Sequence, residues 1–327
     1  MNLPEGIHRI ELPLPFELES VNVFLVRLAE GYMLIDCGMD TEPAFQALER
    51  GIQALGLQWT DIRQILLTHM HPDHMGLSAK LLQLTGAQLI MHETEARHLA
   101  LITKSERRLP WLGNAFTEAG MPQEMQARID RHFAQIRSNF HPLVPDRLLS
   151  GGEVIPTAIG GLQVLWTPGH SPGHICLYCA GHKLLFSGDL ILEEITPNIA
   201  WFPERDTLAD FLASLDSLVE VEVDVIVPSH GVPFGGHREW IGQTKDHHRE
   251  RCDYMHSLLE TTPDTAYALV GRLWTRKLSP INHHFAVLEV MAHLEYMQRR
   301  GRLHSQRHDG AVRWNVSSYF PSQNTHF

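Results

Sequence analysis

RQILLTHMHPDHMG, residues 63–76, runs from an apolar stretch straight into four metal-competent side chains: His69, His71, Asp73 and His74. Packing gives no reason for such a cluster, whereas imidazole and carboxylate are the donors that borderline divalent metals prefer. His69 and His71 lie two apart in an extended segment and can face the same way. Asp73 and His74 are then left to aim at a second ion as the chain turns into the helix LSAKLLQLT, which ends at Gly86. Strand, functional loop and helix in that order point to an α/β arrangement with its chemistry at strand ends.

The same setting recurs three times further on. His170 in TPGHSPGH, Asp189 in FSGD and His230 in VPSHG each end an apolar strand and stand beside Gly or Pro. Singly each has a structural reading; with the cluster they supply the ligands that two metal positions still need. The chain holds 22 histidines, more than a core or a surface requires.

Outward from these motifs, the first 35 residues read as strands (IHRIELPL, VNVFLVRL, GYMLID). Residues 40–57 read as a helix, capped at Asp40 or Thr41 with Pro43 in its first turn. AQLIMH, LQVLWT, HICLYC, KLLFSGD and VDVIVPSH are strand-like; ETEARHLALI and TLADFLASLDSLVE are helical. Two segments break the alternation. Residues 103–148 form a helical insertion in which Pro122 opens a helix bearing Met125, Ile129, Phe133, Ile136 and Phe140, with Trp111, Leu112 and Phe116 nearby. It is either an extra packing layer or a lid over a pocket. The second is 241–327: helix over 242–259, helix TAYALVGRLW, long helix AVLEVMAHLEYMQRRG, then the ribbon RLHSQRHDGAVRWNV turning at Asp309-Gly310. That order is the order of a winged helix. The expected division is a catalytic domain over 1–240 and a small winged-helix-like domain over 241–327.

The 327 residues are 43% apolar, enough for a sizeable core. Net charge is −11, which disfavours non-specific DNA binding. From Ile241 onward there are 11 Lys and Arg against 8 Asp and Glu, a net of +3 that leaves −14 on the first 240 residues. Four cysteines are too few for a disulfide framework. Cys176 and Cys179 lie three apart in a strand, face opposite ways and read as buried small hydrophobes. No apolar stretch approaches the roughly 20 residues of a membrane helix. The start, MNLPEGIHRIELPLPFE, lacks the n- and h-regions of a secretory signal, so a cytoplasmic protein is expected.

Taken together, LIDCG (34–38), THMHPDH (68–74), TPGHSPGH (167–174), FSGD (186–189) and PSHG (228–231) resemble the metallo-β-lactamase superfamily over about the first 235 residues, in the family's order. The resemblance implies an α+β fold, a four-layer αββα sandwich with metals at the sheets' edge. It implies that His69, His71 and His170 hold one ion, that Asp73, His74 and His230 hold a second, and that Asp189 bridges the pair. Two divalent ions are expected, zinc first, with iron or manganese as alternatives. Two cations sharing one water lower its pKa towards neutrality, and Asp73 is placed to take the proton. Asp36 either fixes a histidine tautomer or caps a turn. His174 matches a family position beside the site, where it supports the ligands or touches substrate. His92, His98, His182, His237, His247, His248, His283, His284 and His293 read as surface or core histidines. Gly169-His170-Ser171-Pro172-Gly173 spells G-x-S-x-G, but a strand rather than a helix follows it, so it is no nucleophile elbow.

Asp189 stands where the antibiotic-destroying members commonly carry cysteine, which sets β-lactams aside. TPGHSPGHICLYC is similar to glyoxalase II, while the tail resembles the extension of β-lactamase-like proteins sometimes assigned RNA cleavage. The expected activity is hydrolysis of a small ester, thioester or lactone. A phosphodiesterase or endoribonuclease, and a mononuclear-iron persulfide dioxygenase, are the alternatives. A flavodiiron oxidase is excluded, because those carry Glu where His71 stands. The long tail helix offers two glutamates and is basic only at its end, which argues against DNA reading and for a cap on the catalytic domain or a homodimer contact.

Overall fold

The computed structural model describes residues 1, 3–16, 18–104, 110–136 and 140–317, leaving out the side chains of 110, 111, 135 and 136. Trp111 and Ile136, expected as apolar positions of the insertion, therefore lie outside the described side chains. The chain divides into two compact units.

Unit 1 comprises Met1–Lys104, Ile136–Pro197 and Ser214–Trp240. Its first sheet has the order β1-β2-β3-β4-β5-β6. β1 (Ile7–Pro13), β2 (Ser20–Arg27) and β3 (Tyr32–Ile35) form an antiparallel meander. β4 (Ile62–Leu66), β5 (Gln88–His92) and β6 (Arg147–Leu149) then run parallel to β3. The connections are helical: α1 (Glu42–Ala54), α2 (Pro72–Met75), α3 (Ser78–Thr85) and α4 (Glu93–Lys104). Between α4 and β6 come α5 (Pro110–Glu118) and α6 (Gln123–Ile136). α1 shows why such helices form: the Thr41 hydroxyl accepts from the Ala44 amide, Pro43 sits in the first turn, and Ala44, Leu48 and Ile52 recur on one buried face.

The second sheet has the order β11-β10-β9-β8-β7. β7 (Val154–Thr157), β8 (Gly160–Trp166), β9 (Ile175–Cys179) and β10 (Leu184–Gly188) are antiparallel neighbours. α7 (Thr207–Val219) leads to β11 (Val225–Pro228), which runs parallel to β10. The two sheets face each other over one apolar core, with Phe24 of β2 meeting Phe186 of β10 edge-on at 5.3 Å. Every residue of β10 is buried, as a central strand covered on both faces must be. With helices outside both sheets, unit 1 is the four-layer α/β/β/α sandwich that the motifs imply.

Strand direction gathers the site. β3, β4 and β5 are parallel, so their C-terminal ends, followed by Asp36, the 69–74 loop and Glu95, share one edge of the first sheet. In the second sheet β10 and β11 end together at Asp189 and His230. The antiparallel β8–β9 turn, carrying His170 and His174, reaches the same edge.

Unit 2 comprises Ser105–Gln135, Asn198–Ala213 and Ile241–Phe327. Residues 105–135 of the insertion are grouped with the tail, and its two ends with unit 1. α8 (His237–Thr261), β12 (Asp264–Thr265), α9 (Ala266–Leu273), α10 (Pro280–Arg299), β13 (Leu303–His308) and β14 (Ala311–Val316) follow in order. The β13–β14 ribbon turns where expected, Asp309 and Gly310 both having positive φ. β12, which the sequence does not signal, pairs with β14 to complete a three-stranded sheet.

Candidate metal centre

Pro72 sets the geometry of the loop after β4. It occupies the first turn of α2 and leaves His71 extended at the N-cap, with φ −67° and ψ 148°. His69 and His71 therefore share one face of an extended segment, while Asp73 and His74 are carried round on the first turn of α2.

All seven expected ligands come together in two groups, His69, His71, His170 and Asp189, and Asp73, His74 and His230. His69 Nε2 lies 2.9 Å from His71 Nδ1, which lies 3.0 Å from His170 Nε2. The hydroxyl of Thr68 donates to Asp36 Oδ2, so His69 Nδ1–H must donate to Thr68 Oγ1, 3.0 Å away. This leaves the His69 Nε2 lone pair directed at the other two rings. Asp189 faces both groups. Its Oδ2 is 3.5 Å from His170 Nε2, and its Oδ1 is 3.4 Å from His74 Nε2 and 3.5 Å from His230 Nε2. Asp73 Oδ2 closes the second group, 3.4 Å from His230 Nε2 and 3.6 Å from His74 Nε2.

These separations test whether a metal fits. At 3.4–3.6 Å most are too long for good hydrogen bonds. They match the edge of about 3.3 Å expected between ligands at roughly 2.0 Å in a tetrahedral zinc site. His74 Nε2, His230 Nε2 and Asp189 Oδ1 are also buried with no hydrogen-bond partner, which is costly unless something electropositive meets them. The donor set and its spacing fit divalent ions.

The electrostatics agree. Burial, then the neighbouring His74, pushes His69 well below the ordinary histidine range, and burial with His170 lowers His71 to about 3. Both are neutral and ready to donate lone pairs. Burial opposes the ionised form of Asp73, yet His74 and His230 outweigh it and hold the carboxyl at about 2. Asp189 is likewise held well below its usual range against its burial, by the same two rings. Conversely, burial works against the cations of His74 and His230, but the aspartates, Asp189 foremost, lift both, His230 to about 10. The protein thus surrounds positive charge with two carboxylates.

Supporting groups aim the ligands. Asp36 accepts from the Thr68 amide and hydroxyl and from His74 Nδ1, each at 2.8 Å, which leaves His74 Nε2 turned to Asp73 and Asp189. Of the two roles open to Asp36, the structure gives the tautomer-fixing one. The Ser20 carbonyl accepts from His230 Nδ1 at 2.8 Å. Asn22, missed in the sequence, steadies that loop by donating to the carbonyls of Pro228 and Gly231. His174 is fully buried, its Nε2 accepting from the Asp189 amide at 3.1 Å and its Nδ1 facing Thr167 Oγ1 at 2.8 Å. With both nitrogens engaged, His174 supports the backbone of Asp189.

Glu95 was also missed. It is wholly buried and binds both histidine loops, though in the sequence it looks like any acid in a helix's first turn. Ser171 donates to Glu95 and is followed by β9, not by a helix. Cys176 and Cys179 are free and buried, bonded to different carbonyls, Ser187 and Ile159.

A family profile described as the metallo-beta-lactamase superfamily matches residues 17–230, and one described as the metallo-beta-lactamase-like C-terminal domain matches residues 252–317. The probable metallo-hydrolase YqjP of Bacillus subtilis is 27% identical over 285 residues, 83% of this chain and 85% of its own. The acyl-coenzyme A thioesterase MBLAC2 of Gallus gallus is 31% identical over 231 residues, 66% of this chain and 74% of its own. A crystal structure of a metallo-beta-lactamase family protein from Thermus thermophilus superposes with a TM-score of 0.84 at 32% identity, covering 96% of this chain and 100% of that one.

Proposed function

The chain belongs to the metallo-β-lactamase superfamily and is a metal-dependent hydrolase, and from that premise we propose that it holds two divalent ions, zinc first, and cleaves acyl thioesters. The observation that carries the dinuclear reading is the division of Asp189, Oδ2 turned to one histidine group and Oδ1 to the other. Two relatives named as acyl-coenzyme A thioesterases, at 31% and 28% identity, support a thioester over a lactone or phosphodiester. So does the similarity of residues 167–179 to glyoxalase II.

Divalent ions held by these groups would supply a water of lowered pKa and an electrophilic anchor for the acyl oxygen. The chain's own residues do the rest. Asp73 has a side chain 21% exposed against 9% for Asp189, so it is the carboxylate that incoming water can reach. We assign it the proton taken from the attacking water. Asp36 and His174 keep His74 and Asp189 oriented through the cycle.

Unit 2 is read as a winged-helix-like module that does not read nucleic acid. Eleven residues of α10, the helix that would enter a groove, are buried. Among the described residues, no helix is long and apolar enough to cross a membrane.

Elemental analysis of the purified protein is expected to give two zinc equivalents per chain. An acyl-coenzyme A or acyl-glutathione should be turned over faster than a lactone, bis-p-nitrophenyl phosphate or RNA. A single iron, with oxygen uptake on glutathione persulfide, would overturn the reading. His71→Ala and Asp73→Ala should each lose at least about 1000-fold in kcat/KM, the several kcal/mol that metal activation supplies.

A further inference from the structure

We propose that Glu95 is the positioning residue for the three-histidine group, clamping two separate ligand loops into register without meeting metal or substrate. The inference rests on the reading of the cluster as a metal centre.

Glu95 sits at the junction of β5 and α4 and is fully buried. Its Oε2 accepts from the Met70 amide at 2.9 Å, between His69 and His71. Its Oε1 accepts from the Ser171 hydroxyl at 2.8 Å and from the Gly173 amide, on the loop that carries His170. One carboxylate thus ties together the backbones that deliver His69, His71 and His170. The fit leaves no slack. A Cβ added to Gly173 would lie 2.7 Å from the Glu95 amide nitrogen and 2.8 Å from His92 Nδ1. Beside it, Trp166 stacks on His92 at 5.4 Å and donates to the Pro172 carbonyl. The second group has its own supports, Asp36 behind His74 and the Ser20 carbonyl behind His230. Loss of the Glu95 clamp should therefore be felt at the first group and little at the second.

Glu95→Gln keeps size and shape but replaces one acceptor by an NH2 that must face an N–H or O–H donor. Groups that orient metal ligands are worth roughly 10- to 100-fold in affinity. The test is zinc titration of the metal-stripped full chain against a chromophoric chelator. His71→Ala and His230→Ala identify which binding step belongs to which group. Glu95→Gln should weaken the first-group step by about 10- to 100-fold and leave the other within about threefold. Equal weakening of both steps, or no change in either, overturns the proposal. Ser171→Ala, which removes the hydroxyl donor to Oε1, should weaken the same step several-fold and serves if Glu95→Gln does not fold; an unchanged step overturns the proposal there too. A wild-type chain that binds no zinc removes the metal reading itself. Wild-type binding matched by Glu95→Gln removes only the role of Glu95.

Discussion

Gly188 shows how narrowly single residues are specified around the centre. Its φ is +51°, and a Cβ there would fall 2.4 Å from His174 Nε2, the atom that accepts from the Asp189 amide. Gly188→Ala must displace either the ring or the aspartate. It should lower zinc affinity about 10- to 100-fold with the fold retained, as chelator competition and circular dichroism would show; wild-type affinity would mean that His174 does not hold Asp189. Asp36 is equally constrained. A non-glycine residue at φ 58° is strained by about 1–3 kcal/mol, and three hydrogen bonds to its carboxylate hold it there. Asp36→Asn sets an NH2 against a donor, and a loss of metal affinity of similar size is expected by the same titration. The seven candidate ligands were legible because their side-chain types are rare together and their spacing is fixed. Glu95 and Asn22 were not, since their partners are mostly backbone groups that leave no mark in the sequence. A lone acid at a helix start has a commoner explanation.

At the scale of elements, α10 carries the most information about unit 2. Ser279 caps it, accepting from the Asn282 amide at 3.2 Å, and Pro280 starts it, so the helix begins upstream of the apolar run that signals it in the sequence. Burial of eleven residues is more than one amphipathic face allows. Within unit 2 part of the cover, beside α8, α9 and β13, comes from the insertion and the 198–213 segment. Phe116 of α5 and Phe133 of α6 pack edge-on against His284 at 5.4 and 4.7 Å, the Leu288 carbonyl accepts from the Trp201 amide, and Asn198 donates to Glu289. Helical periodicity exposed α6 in the sequence, and α5 only as apolar residues within a helical insertion, but it could not say which elements they pack on, because an apolar stripe records a need for a partner and not its identity. β12 escaped for a different reason: two residues, Asp264 and Thr265, are too short for any alternation to show. Phe116 is wholly buried, so Phe116→Ala should destabilise unit 2 by about 3–5 kcal/mol. Urea unfolding followed by hydrogen exchange over α10 would read this. A change in kinetics at unchanged stability would instead mark the insertion as a lid.

For the molecule as a whole, the histidines outside the metal centre set an acid limit on stability. His293 Nδ1 donates to the Glu289 carbonyl at 2.8 Å, so its Nε2 must accept from His248 Nδ1, 3.0 Å away. Both rings are neutral in this arrangement, and a further proton on His293 would set N–H against N–H. Burial, reinforced by the neighbouring His293, drives His248 far below the ordinary histidine range; burial lowers His293 to about 4. The sign follows directly. Below the unfolded value of about 6.5 the unfolded chain takes up protons that the folded pair refuses, so stability falls as pH falls and is fully retained above about 7. The two rings together withdraw a few kcal/mol as pH falls from about 6 towards 4, against a typical total of about 5–15 kcal/mol. Hydrogen-exchange protection of α8 and α10 should therefore drop steeply from pH 7 to pH 5, after correction for the intrinsic exchange rate. His293→Gln, which retains a donor and an acceptor but cannot titrate, should flatten that slope by about half. A slope unchanged in the variant would show that acid sensitivity arises elsewhere in the chain.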